Sequence, residues 1–461
     1  MNAADQATLR SGLSQACIIL LVCISVTAPP IVISSALPFF KAEVLLVPLV
    51  AAIYLWLFLT GVARPIGFNG MFVIGFLYFA CNAFSIWYGA AILGHPVLLR
   101  DLYELPKVWL PVAFFTIAFE APLSESAIRR LISFFSVSIL LVCVYAGSQF
   151  FGLGFTYKLN PYYSMGGHID VALEYARRVY ATVGNPNVLG ALMIFCVVLY
   201  VLGAFFRVGS PLRNIFVALS CLATLVMTGS RSGVLNIIVA LLLILAVAAT
   251  PGRHRIARVA FFLLFLPALV WIFAAVAASN RETLERYETL KKPLEIDSLR
   301  QRLDGGWEQG WSDFKSSPMF GHGPGKAFLN PHARFEAGEQ VIDSEYLSVL
   351  REKGSVGFLV FLAYYLYPIY LIRRGRKAAQ VSELLTEQMP AHVVCVNAGF
   401  IMGALALIMN VGMSTFYTPF LQGFLWLWFG IAAGCAARLC AVIPVQHEER
   451  LKITRLRQVP A

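Results

Sequence analysis

The feature that most constrains this chain is a succession of apolar runs, each close to 20 residues, that repeats along nearly its whole length. A helix needs about 20 mostly apolar residues to cross the ~30 Å hydrocarbon core of a bilayer. On that template twelve spans fall at 14–36, 43–63, 70–93, 104–121, 128–151, 188–206, 211–228, 232–250, 256–279, 354–372, 392–413 and 419–442. Composition agrees: of 461 residues 59% are hydrophobic and 13% charged, against about 25% charged in a soluble domain. A soluble enzyme, a disordered chain and a secreted disulfide scaffold are excluded. The expectation is an all-α polytopic integral membrane protein of about twelve helices.

Loop charge orients the spans. With the N-terminus in the cytoplasm, eighteen Lys and Arg fall on cytoplasmic segments, from Arg10 and Arg64 to the Arg373, Arg374, Arg376 and Lys377 cluster and the tail. The short outer connections hold only Lys41, Arg100 and Lys107. That is the positive-inside bias, and it explains the net charge of +11 without nucleic acid as a partner. The first apolar run exceeds the about 7–15 residues of a signal-peptide core, so it reads as an uncleaved span. All nine cysteines lie in apolar runs with no metal-ligand or disulfide spacing, and read as small core residues.

Two long connections remain, and parity puts both outside. They divide the chain into an N-terminal bundle (1–152), a first outer loop (153–187), spans six to nine (188–279), a large outer loop (280–353), the last three spans (354–442) and a basic cytoplasmic tail (443–461) suited to anionic headgroups. The large loop carries 13 of the chain's 25 carboxylates together with 11 basic residues. Loops of such length are functional or disordered, and Trp307, Trp311 and several glycines argue for order. Function is to be sought on the outer face.

Three polar clusters lie there. Arg177 and Arg178 precede Gly184-Asn185-Pro186-Asn187, a helix-breaking turn in which Asn187 can cap the next span; the arginine pair suits a bound anion or lipid headgroups. Thr228-Gly229-Ser230-Arg231-Ser232-Gly233 joins two long apolar runs, so Arg231 stands at the membrane edge. An arginine at that depth is a functional candidate. Its small polar neighbours do not shield it from lipid, which points it into the bundle rather than to the headgroups by snorkelling. The third cluster crosses the large loop: Arg300 and Arg302 ahead of Trp307 and Trp311, then Pro318, Gly321-His322-Gly323-Pro324-Gly325, His332, and Asp343-Ser344-Glu345-Tyr346 leading to Gly354 and Gly357. Its Gly/Pro run demands tight turns and fits neither a Walker A loop nor a dinucleotide fingerprint. Asp343 or Ser344 can cap a helix there, and His322 and His332 suit structural roles better than catalytic ones.

Arginine's planar fork is a preferred partner of phosphate. Arginines at the lipid edge beside a carboxylate therefore fit an anionic lipid phosphate or diphosphate. Tyr157, Tyr162, Tyr163, Tyr175, Tyr180, Trp307 and Trp311 offer faces for sugars, or an interfacial belt. No redox, nucleotide or metal motif is present, so neither cofactor nor metal is expected, and an activated donor on the outer face has to be lipid-borne.

These blocks resemble the O-antigen ligase and O-antigen polymerase superfamily of bacterial envelope glycosyltransferases. The resemblance rests on Gly184 to Asn187, Thr228 to Gly233, Pro318 to Gly325 and Asp343 to Gly357, all within residues 177–357. It implies a metal-independent, inverting glycosyltransferase of GT-C-like fold in the bacterial inner membrane, its active site facing the periplasm, in O-antigen (lipopolysaccharide) or exopolysaccharide biosynthesis. The implied donor is a glycan on undecaprenyl diphosphate. The acceptor is a second lipid-linked glycan in a polymerase, or lipid A–core in a ligase; membrane lipids and a chain-length regulator are further partners. Arg231 matches the family's Ser-Arg arginine, implicated in holding the donor diphosphate. Arg177, Arg178 and Arg300 are further diphosphate-binding candidates. Arg302 resembles the catalytic loop arginine before the tryptophan, a role for which Arg300 competes. His322, His332 and Tyr346 are assigned to the acceptor or to shaping the loop.

One position departs from the family. Ligases usually carry a histidine where Asp343 stands, so that role does not transfer by identity. A carboxylate within hydrogen-bond reach still accepts a proton from a sugar hydroxyl, and an ordinary aspartate is ionised at neutral pH. The departure favours a polymerase over a ligase, with Asp343 as the base. A transporter of lipid-linked glycan or of a small anion is the competing class; the lack of an internal repeat and the gathering of polar clusters at one face count against it.

Overall fold

The computed structural model describes residues 3–31, 40–41, 69–97, 99–121, 123–164, 173–174, 177–249, 255–291, 300, 302–324, 344–381, 387–413 and 419–457. In chain order the helices are α1 (Ala3–Thr27), α2 (Gly70–Ala91), α3 (Leu99–Lys107), α4 (Trp109–Glu120), α5 (Glu125–Phe150), α6 (Thr156–Tyr163), α7 (Pro186–Phe205), α8 (Pro211–Met227), α9 (Arg231–Ala248), α10 (Arg255–Ala278), α11 (Arg281–Glu288), α12 (Glu308–Ser316), α13 (Glu345–Val381), α14 (Pro390–Met409) and α15 (Pro419–Arg457). A two-residue antiparallel clip, β1 (Pro30–Ile31) on β2 (Phe40–Lys41), pairs Pro30 with Lys41.

The helix starts follow from capping chemistry. Asn69, Ser124, Asn185, Ser210, Ser230 and Asn280 each offer a side-chain oxygen to first-turn N–H groups that have no intrahelical partner. Pro186 and Pro211 take the first helical position, where the missing N–H costs nothing.

Seven described helices are long and apolar enough to cross a membrane: α2, α5, α7, α9, α13, α14 and α15. Ser14–Thr27 within α1, the whole of α8 and Phe265–Val276 within α10 are shorter apolar stretches. The chain is an all-α polytopic membrane protein. The expected span 43–63 lies outside the described residues. The expected span 104–121 is two helices, broken at Val108 between Pro106 and Pro111. Proline removes a helix donor and crowds the turn before it, so the apolar run is divided although its hydropathy is continuous. The 12 residues of α4 are too few to cross a bilayer alone.

The core is built on α7, buried along its whole span and apolar on every side. It packs against α8, α9 and α14, while α15 packs against α4, α13 and α14. On α15, Gly430 and Gly434 lie one turn apart against α4; a Cβ at these positions would come 2.3 Å from the Phe115 carbonyl oxygen and 2.9 Å from that of Phe119. Such small-residue faces let membrane helices approach closely. Helix α13 is kinked at Gly354 (φ 64°, ψ −169°), where its expected span begins.

Candidate active site

The connection from α8 to α9 is Thr228-Gly229-Ser230. The Thr228 hydroxyl donates back to the Leu225 carbonyl at 2.7 Å and accepts the Ser230 N–H at 3.2 Å. Ser230 Oγ accepts the Gly233 N–H at 3.2 Å and caps α9. Gly229 sits between them at φ +59°, a conformation that glycine adopts without penalty. Gly190 of α7 packs against Ser230, and a Cβ there would lie 3.4 Å from Ser230 Cβ. The turn is thus held from both sides.

Three arginines meet at this turn. Arg178 donates from Nε to the Thr228 carbonyl (3.1 Å) and from Nη2 to Asn187 Oδ1 (3.0 Å). Arg286, on α11, donates from Nε to the Gly229 carbonyl (2.8 Å). Arg231, the first residue of α9, donates from Nε to the Arg286 carbonyl (3.2 Å). The Arg178 and Arg286 stems flank Gly229 so closely that a Cβ there would meet Arg286 Cδ at 3.3 Å and Arg178 Cγ at 3.4 Å. Burial and then the charge of Arg231 push the Arg286 guanidinium below its ordinary value. Helix α11 is seated by Tyr287, whose hydroxyl donates to the Val226 carbonyl at 2.8 Å. Burial raises that phenol, and Arg178 and Arg286 pull it partly back.

The Gly184-Asn185-Pro186-Asn187 segment sets the position of Arg178. Gln149 Oε1 of α5 accepts the N–H groups of Tyr180 (3.2 Å) and Ala181 (2.8 Å), and the Val179 N–H reaches the Met227 carbonyl (3.3 Å). The expected cap, Asn187, is displaced from that role. Asn185 caps α7, accepting the N–H of Asn187 at 2.9 Å, because Pro186 fits the first helical position. The Asn187 side chain instead receives Arg178. Arg177 is engaged elsewhere: exposed, with φ +48°, it donates from Nη1 to the Phe150 carbonyl at 3.2 Å.

A second polar group surrounds the Gly354 kink. The N–H groups of His322, Gly323 and Ser355 donate to the carbonyls of Arg351 (3.1 Å), Glu352 (2.8 Å) and Pro318 (2.8 Å), clasping the Pro318 to Gly323 turn onto α13. Gly321 (φ +69°) and Gly354 both sit where a Cβ would come within 2.3 Å of the opposing backbone. His322 Nε2 is 2.8 Å from the Asp313 carbonyl and Nδ1 is 3.1 Å from His95 Nε2. A carbonyl only accepts, so Nε2 carries the His322 proton and Nδ1 receives that of His95. Here the charges are paired: Arg351 Nε lies 2.7 Å from Asp313 Oδ2, and buried Lys353 lies 3.2 Å from Glu352 Oε2. Helix α13 opens on Ser344, whose Oγ accepts the Leu347 N–H at 3.4 Å, and Tyr346 donates to the Leu407 carbonyl of α14 at 2.6 Å. Among the described residues no three His, Cys, Asp or Glu side chains come close enough to hold a metal ion.

Residues 215–362 match the family model described as O-Antigen ligase. The similarity covers about a third of the chain. No curated protein matches the chain. The matched stretch holds Arg231, Arg286 and most of the kink cluster, to which His95 and Leu407 are added from outside it, whereas Arg178 reaches it from the segment before α7. Of the residues expected from sequence, Arg178 and Arg231 are brought together. His322 and Tyr346 belong to the contacts around α13. Arg300 is exposed. Arg302 opens the π-helical turn Arg302–Trp307, and its side chain lies outside the described residues, as do Asp343, His332 and Tyr175. Arg286, within the matched stretch, is not singled out by the sequence motifs. Its signal is local: Asn280 caps α11, and Thr283 and Tyr287, four residues apart, mark the buried face that sets Arg286 at its edge.

Proposed function

We propose that the chain is a polymerase of surface polysaccharide, joining undecaprenyl-diphosphate-linked oligosaccharide repeat units at the periplasmic face of the bacterial inner membrane. The observation that carries this reading is the meeting of Arg178 and Arg231 at one turn at the start of a membrane span, within an O-antigen ligase domain and its approach segment. Their forks pair with the donor diphosphate, and preorganised charge held away from water does more than any other single effect to lower the barrier in such a site. The acceptor hydroxyl oxygen bonds to the anomeric carbon as the carbon–oxygen bond to the diphosphate breaks. The electron pair leaves with the diphosphate, inverting the sugar, and the hydroxyl proton passes to Asp343. Ser344 already caps α13, so Asp343 is assigned as the base rather than the cap. Arg302 and Arg300 complete the loop side of the donor site.

The description of the matching model favours a second reading, a ligase that passes the glycan to lipid A–core. Gel analysis of surface polysaccharide in a deletion strain, complemented by wild type, Arg231→Ala or Asp343→Ala, separates the two. Single repeat units on lipid A–core, or loss of a secreted polymer, establish the polymerase. Full-length chains retained on undecaprenyl diphosphate establish the ligase. Unchanged glycans in the deletion strain overturn both and return transport to consideration.

A further inference from the structure

A further group of cations gathers near the end of α13, on the side that the loop charges assign to the cytoplasm. Arg373, Arg376 and Lys377 stand at helical spacing and share one face. Packing fixes what Arg376 meets. Gly375 lies against α15, where a Cβ would come 2.3 Å from Ala436 Cα. Gly399 of α14 lies against the same helix, where a Cβ would come 2.4 Å from Ala432 Cβ. The three helices are thereby locked together, and the Arg376 guanidinium lies 4.5 Å from the centroid of the Phe400 ring. Arg376 is half-buried, its Nε enclosed and without a partner. The charge that bears on it is a like one, that of Arg373. Among the described residues no carboxylate pairs with any of the three cations.

A snorkelling arginine turns freely to water, whereas an aromatic face holds a guanidinium in one orientation. Enclosure beside a like charge is costly, and an anion offsets that cost. The approach to the cations is apolar. Leu359, Leu366 and Tyr370 are exposed, and they recur on one side of α13 in a stripe that Arg373 and Lys377 continue. We infer that this end of α13 binds an anionic phospholipid of the cytoplasmic leaflet. The phosphate rests on the forks of Arg373 and Arg376 and on the Lys377 ammonium, and an acyl chain follows Leu366 and Tyr370. Basic pockets between membrane helices on this side suit anionic headgroups. The inference does not depend on the donor reading.

The test is binding of phosphatidylglycerol, phosphatidylcholine and soluble glycerol phosphate to the full-length protein in detergent, read by native mass spectrometry. Wild type is expected to hold phosphatidylglycerol about tenfold more tightly than phosphatidylcholine, the scale of a hydrogen bond to a charged group. Arg376→Gln should lose most of that preference. Arg376→Lys, which keeps the charge but not the planar fork, should lose part of it. Arg373→Gln combined with Lys377→Gln changes only exposed side chains, and should also lower the preference if Arg376→Gln fails to fold. Arg207→Gln removes an exposed cation elsewhere and should change nothing. An equal loss from Arg207→Gln would reduce the effect to diffuse surface charge and overturn the site. A preference that survives the changes at Arg373, Arg376 and Lys377 would overturn it too. Competition by glycerol phosphate as strong as that by phosphatidylglycerol would make the ligand a soluble phosphate and overturn the lipid assignment.

Discussion

Two regions of this protein collect charge, and they do so in opposite ways. Around Gly229, three arginines are oriented by carbonyls and an amide. Around Gly354, Arg351 lies against Asp313, Lys353 against Glu352, and nearby Lys107 lies 3.2 Å from Glu104. Both regions are built on a glycine with positive φ, and both glycines lie in the stretch that matches the O-antigen ligase model. The difference lies in what the charges bond to. Ion pairs fasten a loop to a helix around Gly354. Around Gly229, guanidinium groups brace a turn through its own carbonyls.

The sharpest way to break this contrast is to remove one charge from each region. Arg351→Ala strands the Asp313 carboxylate, which is largely buried. Losing one partner of a buried pair costs about 3–5 kcal/mol, so the melting temperature in detergent should fall steeply. A variant that melts like wild type but no longer transfers glycan would move Arg351 from fastening to chemistry. Arg231→Lys should do the reverse. Lysine keeps a point charge but cannot pair through a planar fork, and losing an oriented donor of developing charge costs roughly 10²–10³-fold in turnover. Melting should stay close to wild type. Near-normal transfer from a lipid-linked donor would remove Arg231 from the mechanism.

Gly321→Ala probes the clasp without touching a charge. The added methyl meets the Glu352 backbone at 2.3 Å in a conformation with φ +69°, and strain plus overpacking of this kind costs roughly 1–3 kcal/mol. Thermal unfolding should report that loss while undecaprenyl diphosphate binding persists. Loss of binding with unchanged melting would join the two regions into one site.

How much of this could be read from the sequence depends on the range of the forces involved. Spans announce themselves through solvation of some 20 consecutive residues, so the apolar runs behind α2, α5, α7, α9, α13, α14 and α15 were legible. The break at Val108 was less so, because hydropathy averages over the prolines that cause it. Arg231 was legible because only a short polar turn separates two apolar runs. Its meeting with Arg178 was not. That depends on the Val179 N–H finding the Met227 carbonyl and on Gln149 holding Tyr180 and Ala181, contacts between residues far apart in the chain. Arg286 was hidden among the 11 basic residues of the large loop, and only the docking of Tyr287 singles it out.

The finest test of the contrast lies at Asn187, which receives Arg178 Nη2 at 3.0 Å without neutralising it. Asn187→Asp keeps the shape and the acceptor but adds the carboxylate that the kink region uses. Arg178 would then face a carboxylate, as Arg351 does. A partly exposed pair of this kind is worth about 1 kcal/mol or less, so folding should be unchanged or slightly firmer. The same pairing competes with any anion for Arg178, and affinity for undecaprenyl diphosphate should fall up to about fivefold. Asn187→Ala, which releases Arg178 but leaves its charge, should lower affinity less than the aspartate does, because what is lost is orientation and not charge. If the aspartate binds the lipid as tightly as wild type, the charge of Arg178 does not reach the anion. The arginines at Gly229 would then fasten the turn, as the paired charges fasten the kink.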